Sequence, residues 1–370
     1  MTAHPSTTAP AAAATSQPGG PGSLDAATAP DAGPLGTDPV PAGRGRRPEA
    51  PRGPSLSPSR AADFKTCPLL FRFRTIDKLP ELPTADQVRG TLVHAVLERL
   101  FDLPAAGRTP AAAAALVAPE WARLLEQEPS LAEIFTTPLP VAADPAAAEA
   151  EADATGQETL IDIPPAEAET ARLAAFLGSA TALLDGYFAV EDPQRLQPAE
   201  RETLISTVIG DELLLRGYID RLDVSPAGDL RVVDYKTGGA PREAFEGRAL
   251  FQLKFYALVL WRTRGVVPRV LRLLYLKDAE ALDYSPEAGE LERFERTLTA
   301  LSAAIERAKR DQDFRPKPSR LCGWCRHQDL CPEFGGTPPP FPDVPATTLT
   351  VLPDTEPDRV GPRLRDDPLG

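Results

Sequence analysis

Three strand-like segments that follow one another through short turns constrain the fold of this chain most. Their sequences are ETLISTVI, ELLLRGYIDRLDV and LRVVDYKTG, at residues 202–209, 212–224 and 230–238. Each is rich in β-branched and large apolar residues, and Gly210–Asp211 and the run SPAGD separate them. The pattern predicts an antiparallel meander of three strands with tight turns.

Helical segments flank this meander on both sides. The predicted elements are a helix in RGTLVHAVLERLFDLP that ends at Pro104, a helix at 171–190, a helix at 246–265, a strand at 269–278 and a helix at 288–310. Helices before and after a meander, followed by one more strand, are typical of an α/β layer architecture. The sequence therefore predicts an α/β fold with a mixed sheet flanked by helices.

Composition divides the rest of the chain into a domain and two tails. Residues 1–55 are an Ala, Pro, Ser, Thr and Gly mixture, and residues 336–370 are rich in Pro and Asp. Both predict disordered tails around one domain at residues 56–335. Inside that domain, the Ala-, Glu- and Pro-rich residues 104–170 predict a variable insertion with a helical piece around Trp121.

The acidic charge lies outside the predicted core. The chain has a net charge of −13, yet residues 104–170 alone hold 12 acidic and 2 basic residues. The tails account for the remainder, so residues 56–103 and 171–335 together sum to zero. This distribution does not exclude a phosphate-rich substrate.

The sequence also indicates the compartment. The N-terminus lacks a basic segment followed by an apolar one, and no run was expected to reach the roughly 18 apolar residues of a membrane span. A soluble, cytoplasmic protein without membrane contact is therefore expected.

Charged residues at the strand ends predict a reaction centre. Asp234 and Lys236 are two apart in a strand, so their side chains share a face, and the adjacent strand brings Asp220 beside them. Two carboxylates at strand ends are ligands for Mg²⁺ or Mn²⁺, and a neighbouring lysine activates water or neutralises charge on phosphate. An isolated Asp-x-Lys is more often a solvated salt bridge, so the surrounding motifs decide between the two interpretations.

Those motifs resemble a known family. The ordered segments GTLVHAVLE, GYIDRLD, VVDYKTG and FQLKFYALVL resemble the four motifs of the RecB-like branch of the PD-(D/E)XK nuclease superfamily. The resemblance covers residues 56–335 and implies a restriction-endonuclease-like core. One departure is that Ile219 stands where the superfamily's name has proline.

The resemblance also implies roles for individual residues. It assigns metal ligation to His94, Asp220, Asp234 and the main-chain carbonyl of Tyr235, and catalysis to Lys236 together with the two acids. Gln252 and Tyr256, at i and i+4 of one helix, match the family's Gln-x-x-x-Tyr element beside the active site. His94 and Tyr256 also fit a simpler interpretation as buried core residues.

Four cysteines predict a second metal site. Cys67 lies far upstream of Cys322, Cys325 and Cys331, which form a C-x₂-C-x₅-C cluster. In a cytoplasmic protein such thiols indicate metal binding, either to a [4Fe-4S] cluster or to zinc with His327 replacing one cysteine. The context TCPLLFRFR resembles that of iron-sulfur nuclease domains of the AddB subunit and of CRISPR-associated RecB-like exonucleases, which implies [4Fe-4S].

Basic and aromatic residues near these cysteines predict a nucleic-acid surface. Arg72, Arg74, Arg310 and Lys317, interleaved with Phe71, Phe73 and Phe314, were expected to follow phosphates and stack on bases. The alternative for each is a solvated helix face.

Together these features predict an Mg²⁺- or Mn²⁺-dependent DNA exonuclease of repair or recombination that acts on single-stranded or duplex ends. No G-x-x-x-x-G-K-[ST] motor motif occurs, so any helicase is a separate partner. The alternatives are a non-catalytic DNA- or helicase-binding module of the same fold, and a zinc-stapled endonuclease or RNA nuclease.

Overall fold

The computed structural model describes residues 53–135, 165–210, 212–240 and 246–342. Most of the two predicted tails therefore lies outside the described residues. Two contacts lie just outside the predicted bounds of the domain. Ser55 begins a strand, and the ring of Phe341 stacks on that of Phe314 with centroids 6.0 Å apart.

Six strands form one mixed sheet in the order β1-β3-β4-β5-β6, with β2 paired along β3. Their bounds are β1 Ser55–Leu56, β2 Glu200–Ile209, β3 Leu213–Val224, β4 Leu230–Lys236, β5 Val270–Tyr275 and β6 Glu280–Tyr284. The β2–β3, β3–β4 and β5–β6 pairs are antiparallel, and β1–β3 and β4–β5 are parallel. The predicted meander and mixed sheet are thus confirmed, whereas β6 was not predicted.

Helices cover both faces of this sheet. Their bounds are α1 Pro58–Thr66, α2 Pro68–Phe71, α3 Ala85–Leu100, α4 Pro110–Gln127, α5 Pro165–Val190, α6 Glu246–Arg264 and α7 Ala288–Asp311. Val232 and Val233 of β4 are both fully buried and point to opposite faces. Val232 belongs to a cluster with Phe255 of α6, and Val233 to a cluster with Leu92 of α3. This two-sided burial confirms the predicted α/β core.

A capping box fixes the start of α3, the helix that carries His94. The backbone N–H of Gln87 donates to the Thr84 hydroxyl at 3.2 Å, and the Gln87 side chain accepts from the Thr84 N–H at 2.8 Å. Further along, a Cβ at Gly90 would come within 3.1 Å of the Thr237 hydroxyl. Glycine therefore lets α3 lie close to the segment that follows β4.

Part of the predicted insertion is ordered core. Residues 110–127 form α4, and Trp121 packs against Phe135 and Phe176 with ring centroids 5.9 and 5.2 Å away. The Ala-rich segment therefore contains an amphipathic helix whose buried face includes Trp121. Residues 136–164, where the composition is most repetitive, lie outside the described residues.

One helix corrects the expectation that no segment reaches membrane-span length. Within the described residues, Ala168–Val190 of α5 is long and apolar enough to cross a membrane by length and composition. A single helix of this kind is weak evidence for a membrane span, because a helix in the core of a globular domain can have the same length and apolar composition. Phe176, Leu184 and Tyr187 of α5 are buried in the cluster that includes α3 and α4.

Candidate active site

The candidate site lies where β3 and β4 separate. Their last paired residues on this side are Arg221 and Val233, so Asp220 and Asp234 are the first residues in the gap. There the backbone N–H of Tyr235 donates to Asp220 Oδ2 at 2.9 Å. The Asp220 carboxylate thus accepts the hydrogen bond that a strand carbonyl would otherwise accept. Asp220 and Asp234 are both almost fully buried.

His94 reaches this gap from α3, and each of its ring nitrogens faces oxygen atoms there. Its Nε2 lies 2.9 Å from the carbonyl oxygen of Tyr235. A carbonyl can only accept a hydrogen bond, so Nε2 carries the proton and Nδ1 keeps its lone pair in the neutral ring. Nδ1 lies 3.3 Å from Asp220 Oδ2 and 3.7 Å from Glu202 Oε1.

This geometry fits a bound cation. His94 Nδ1 is buried and has no hydrogen-bond partner among the described residues. A neutral imidazole that points its lone pair at two carboxylates is unfavourable unless a cation lies between them. A histidine that donates one N–H to a carbonyl and directs the other nitrogen at carboxylates is the usual arrangement of a metal ligand.

Glu202 completes this group, although no motif in the sequence marks it. Ligand atoms of His94, Glu202 and Asp220 all lie within 4.8 Å of one another. Glu202 lies between the paired positions Arg201–Arg221 and Thr203–Ile219, which puts it opposite Asp220. A two-residue turn at Gly210–Asp211 would instead pair Glu202 with Ile219. The observed register differs by one residue, with Ile209 opposite Leu213, so the predicted turn did not identify Glu202.

The backbone at Glu202 is strained. Its φ of 44° is a left-handed conformation inside a strand, which costs a non-glycine residue about 1–2 kcal/mol. Such strain persists where the surrounding structure holds it, and it is concentrated at functional sites. The conformation therefore supports a functional position for this carboxylate.

Two predicted ligands are placed differently from the expected set. The Tyr235 carbonyl accepts the His94 hydrogen bond, and Asp234 Oδ2 lies 2.8 Å from Lys236 Nζ. Burial raises the pKa of Asp234 to about 6, against the opposing effect of the Lys236 cation, and the charge of Asp220 raises it further. Asp234 thus pairs with the lysine, and Glu202 adds a carboxylate beside His94. Metal ligation by Asp234 and by the Tyr235 carbonyl stays a prediction.

Lys236 is oriented by a short chain of hydrogen bonds. Its Nζ donates to Gln252 Oε1 at 2.9 Å, and Gln252 Nε2 donates to the Tyr256 hydroxyl at 2.9 Å. Tyr256 is buried, and a Cβ at Gly217 would come within 2.7 Å of its ring. The glycine of GYID thus makes room for the tyrosine of the Gln-x-x-x-Tyr element.

The four cysteines are free, half-buried thiols. Cys67 Sγ accepts the backbone N–H of Lys317 at 3.4 Å, which joins the distant cysteine to the C-terminal segment. Burial raises the pKa of the Cys325 thiol, and the charges of Cys67, Cys331 and Cys322 raise it further.

In the described part of the chain, the cysteine sulfurs do not form a compact group. Among the described residues, no three cysteines bring their sulfurs within 4.8 Å of one another. Thiolates around tetrahedral zinc lie only about 3.8 Å apart, as follows from a Zn–S distance of about 2.3 Å. The expected substitute ligand, His327, instead has its Nε2 2.6 Å from Glu81 Oε1.

The predicted nucleic-acid residues divide into two groups. Arg72 is buried and paired with Asp77, and Arg74 binds Asp63 and Glu81. These contacts give both arginines a structural role. Arg310 and Lys317 are exposed, with Arg310 3.2 Å from Asp311 and Lys317 Nζ donating to the carbonyl of Lys65 at 3.0 Å.

The three phenylalanines expected to stack on bases are instead part of the core. Phe71, Phe73 and Phe314 are buried, and Phe71 stacks on Phe314. The expectation of base stacking by these rings is therefore wrong, because their faces are covered by other side chains.

Comparison with known proteins places the chain in a family. Residues 55–332 match the PD-(D/E)XK nuclease superfamily. A candidate exonuclease from Eubacterium rectale is a similar solved structure, at 9% identity over 74% of this chain and 87% of that one, with a TM-score of 0.42. A second, SSO0001, is 18% identical over 45% of this chain and 75% of that one, with a TM-score of 0.28. No curated protein matches. Since the family match spans well over half of the sequence, this chain belongs to the PD-(D/E)XK nuclease superfamily.

Proposed function

We propose that this chain is a RecB-like, Mg²⁺- or Mn²⁺-dependent exonuclease that hydrolyses DNA from its ends in repair or recombination. The observation that carries the proposal is the buried His94 Nδ1, which faces Asp220 and Glu202 without a hydrogen-bond partner among the described residues. The superfamily implies a nucleic-acid substrate.

The residues present divide the work at a phosphodiester. His94, Glu202 and Asp220 would hold a divalent cation, which polarises phosphate oxygens and lowers the pKa of bound water. Asp234 and Gln252 orient Lys236 Nζ, at 2.8 and 2.9 Å. The positive charge of Lys236 would stabilise the negative charge that develops on the phosphate.

Cleavage assays test the site and the reaction. Asp234→Ala and Lys236→Ala are expected to abolish Mn²⁺-dependent digestion of end-labelled linear DNA, while the exposed Lys277→Ala control retains it. Digestion by Asp234→Ala at the wild-type rate would refute the proposed site. Wild-type protein that binds DNA but does not cleave it would favour the non-catalytic module.

The form of the substrate needs its own comparison. Single-stranded linear DNA is expected to be digested faster than blunt duplex, and circular DNA not at all. Cleavage of circular DNA as fast as linear DNA would contradict exonuclease action, and faster digestion of RNA than of DNA would contradict the choice of substrate. Stimulation of duplex digestion by an added helicase would identify the separate motor that the sequence itself lacks.

We also propose that the four cysteines hold a [4Fe-4S] cluster that links the two ends of the domain. Support comes from the contact of Cys67 Sγ with the backbone of Lys317, five residues before Cys322, and from the resemblance of the cysteine pattern to iron-sulfur nuclease domains. Protein purified without oxygen is expected to be brown, with an absorption shoulder near about 400 nm from iron-sulfur charge transfer. Cys67→Ser should lose the colour and His327→Asn should keep it, whereas a colourless protein with stoichiometric zinc would refute the cluster.

A further inference from the structure

An exposed, basic turn carries a large aromatic side chain that no contact explains. Residues 315–326, RPKPSRLCGWCR, hold 4 basic residues and no acidic ones. Within them, Trp324 ends the 3₁₀ turn Arg320–Trp324 and is 76% exposed, more than any other large apolar side chain of the described residues. An exposed indole among cations indicates a binding surface.

The arginines on either side of Trp324 are free to bind a ligand. Arg320 and Arg326 are both exposed, and neither forms an ion pair with any residue that the structure describes. Arg315, by comparison, is paired with Asp313 at 3.0 Å. Two unpaired guanidinium groups beside an indole provide phosphate ligands and a stacking platform together.

Contacts connect this turn with the candidate active site. Lys317 Nζ donates to the carbonyl of Lys65 at 3.0 Å, and the Lys65 ammonium lies 4.0 Å from the ring centroid of Phe251. Phe251 precedes Gln252, which binds Lys236. These contacts join the segment that precedes the turn to α6, the helix that carries Gln252.

We propose that the segment Arg320–Arg326, here called the Trp324 turn, binds single-stranded nucleic acid. Trp324 stacks on one unpaired base, and Arg320 and Arg326 contact the phosphates beside it. Duplex ends bind this site poorly, because their bases are already stacked and paired and cannot stack on Trp324. The inference rests on the proposed nuclease function and adds the form of the substrate and its entry point.

Binding without cleavage tests the stacking contact. Full-length protein in EDTA is titrated into labelled oligo(dT) of about 16 nucleotides, and into a blunt duplex of the same length, with anisotropy as the readout. Trp324→Ala is expected to weaken single-strand binding about 5- to 100-fold, and Trp324→Phe less than about threefold. Duplex affinity is unchanged in both variants, as is single-strand binding by Leu204→Ala, a control exposed on β2.

Salt dependence tests the phosphate contacts. Arg320→Gln and Arg326→Gln are each expected to lower the slope of log K against log salt by about 0.7 for a single strand, while Arg296→Gln on α7 leaves it unchanged. If Trp324→Ala binds like the wild type, stacking is refuted even where the arginine variants weaken binding. If Trp324→Ala instead changes only the oligomeric state, the turn binds protein and the proposal is overturned.

A small substrate separates this inference from the proposed function. Hydrolysis of bis(p-nitrophenyl) phosphate with Mn²⁺ reports on the active site without a nucleic-acid strand, and Trp324→Ala should retain the wild-type rate. Wild-type protein that hydrolyses neither this diester nor DNA would refute the nuclease proposal alone. If Trp324→Ala hydrolyses the diester and binds single strands like the wild type, only the proposed role of the Trp324 turn is refuted. Iron content and melting temperature equal to wild type show that the neighbouring Cys322 and Cys325 are undisturbed.

Discussion

Arg221 Nη1 donates a 2.8 Å hydrogen bond to the hydroxyl of Tyr235, and both side chains are buried. Arg221 directly follows Asp220 in β3, and Tyr235 lies between Asp234 and Lys236 in β4. The backbone of Tyr235 also donates to Asp220 and accepts from His94. One tyrosine therefore connects the buried arginine with the residues of the candidate site.

A carboxylate network compensates the charge of Arg221. Its two terminal nitrogens bind Glu191 at 2.7 and 2.9 Å, and Nε lies 3.1 Å from Asp223. The arginine is 0% exposed, so each of these partners replaces water that the charge has lost. The network fixes the side chain on which the position of Tyr235 depends.

Tyr235→Phe is expected to destabilise the fold more than it impairs the site. The change leaves a buried guanidinium N–H without its partner, which costs about 1–3 kcal/mol of unfolding free energy. The backbone contacts of residue 235 remain. Urea denaturation measures the loss, and Mn²⁺ affinity should stay within about threefold of wild type.

Tyr187→Phe is the matched control. The Tyr187 hydroxyl is buried in the same cluster without a hydrogen-bond partner among the described residues. Its removal should therefore cost less than about 0.5 kcal/mol or stabilise the protein. Equal losses from the two variants would contradict the role given to the Arg221–Tyr235 bond.

Glu202→Gln tests the carboxylate that the sequence analysis missed. The amide keeps the size of the side chain but removes the charge beside His94 Nδ1, so Mn²⁺ affinity should fall at least about tenfold. Calorimetric titration with Mn²⁺ measures this change independently of cleavage. Glu200→Gln, on the same strand but paired with Arg264, should bind Mn²⁺ like the wild type. An unchanged affinity in Glu202→Gln would assign the site to the set expected from the motifs.

Local patterns were sufficient to predict the sheet that carries the site. The predicted turn at 225–229 gives the observed register of β3 and β4, and that register brings Asp220 next to Asp234. The strand β6 was not predicted because it is short and lies at an exposed edge. The helical piece predicted around Trp121 is α4, but its place in the core through Val117, Trp121 and Leu124 was not predicted.

Contacts distant in sequence were beyond these patterns. The bond between His94 and Tyr235 joins residues 141 positions apart and depends on how α3 packs across the sheet. The burial of Phe71, Phe73 and Phe314 likewise depends on how the C-terminal segment folds over α2. Charge and aromatic content predicted a binding surface there, but only packing separates the exposed Trp324 from the buried rings.

Gln252→Ala is expected to reduce kcat about 10- to 100-fold with little change in KM. Without Gln252 Oε1, Lys236 Nζ keeps only Asp234 of these two partners and loses its orientation toward the phosphate. Steady-state digestion of a short single strand measures both constants. Tyr256→Phe removes only the partner of Gln252 and should reduce kcat less than about fivefold. A larger effect from Tyr256→Phe than from Gln252→Ala would contradict the idea that Tyr256 acts on Lys236 only through Gln252.

Glu81 makes stability depend on pH at the contact between the N-terminal helices and the cysteine segment. Burial alone would raise the pKa of Glu81, but hydrogen bonds from His327 and Arg74, together with their charges, lower it from 4.5 to about 2. The folded carboxylate thus binds protons less readily than the unfolded one. Its contribution is fully present above a pH of about 4.5 and is lost as the pH falls toward about 2.

Glu81→Gln should therefore be less stable than wild type at neutral pH and lose less stability on acidification. Urea midpoints measured from pH of about 7 down to about 3 report both effects, because the amide carries no charge to protonate. Glu126→Gln, an exposed control on α4, should follow the wild-type curve. Parallel curves for Glu81→Gln and wild type between pH of about 4.5 and about 3 would mean that this carboxylate keeps its ordinary pKa in the folded protein.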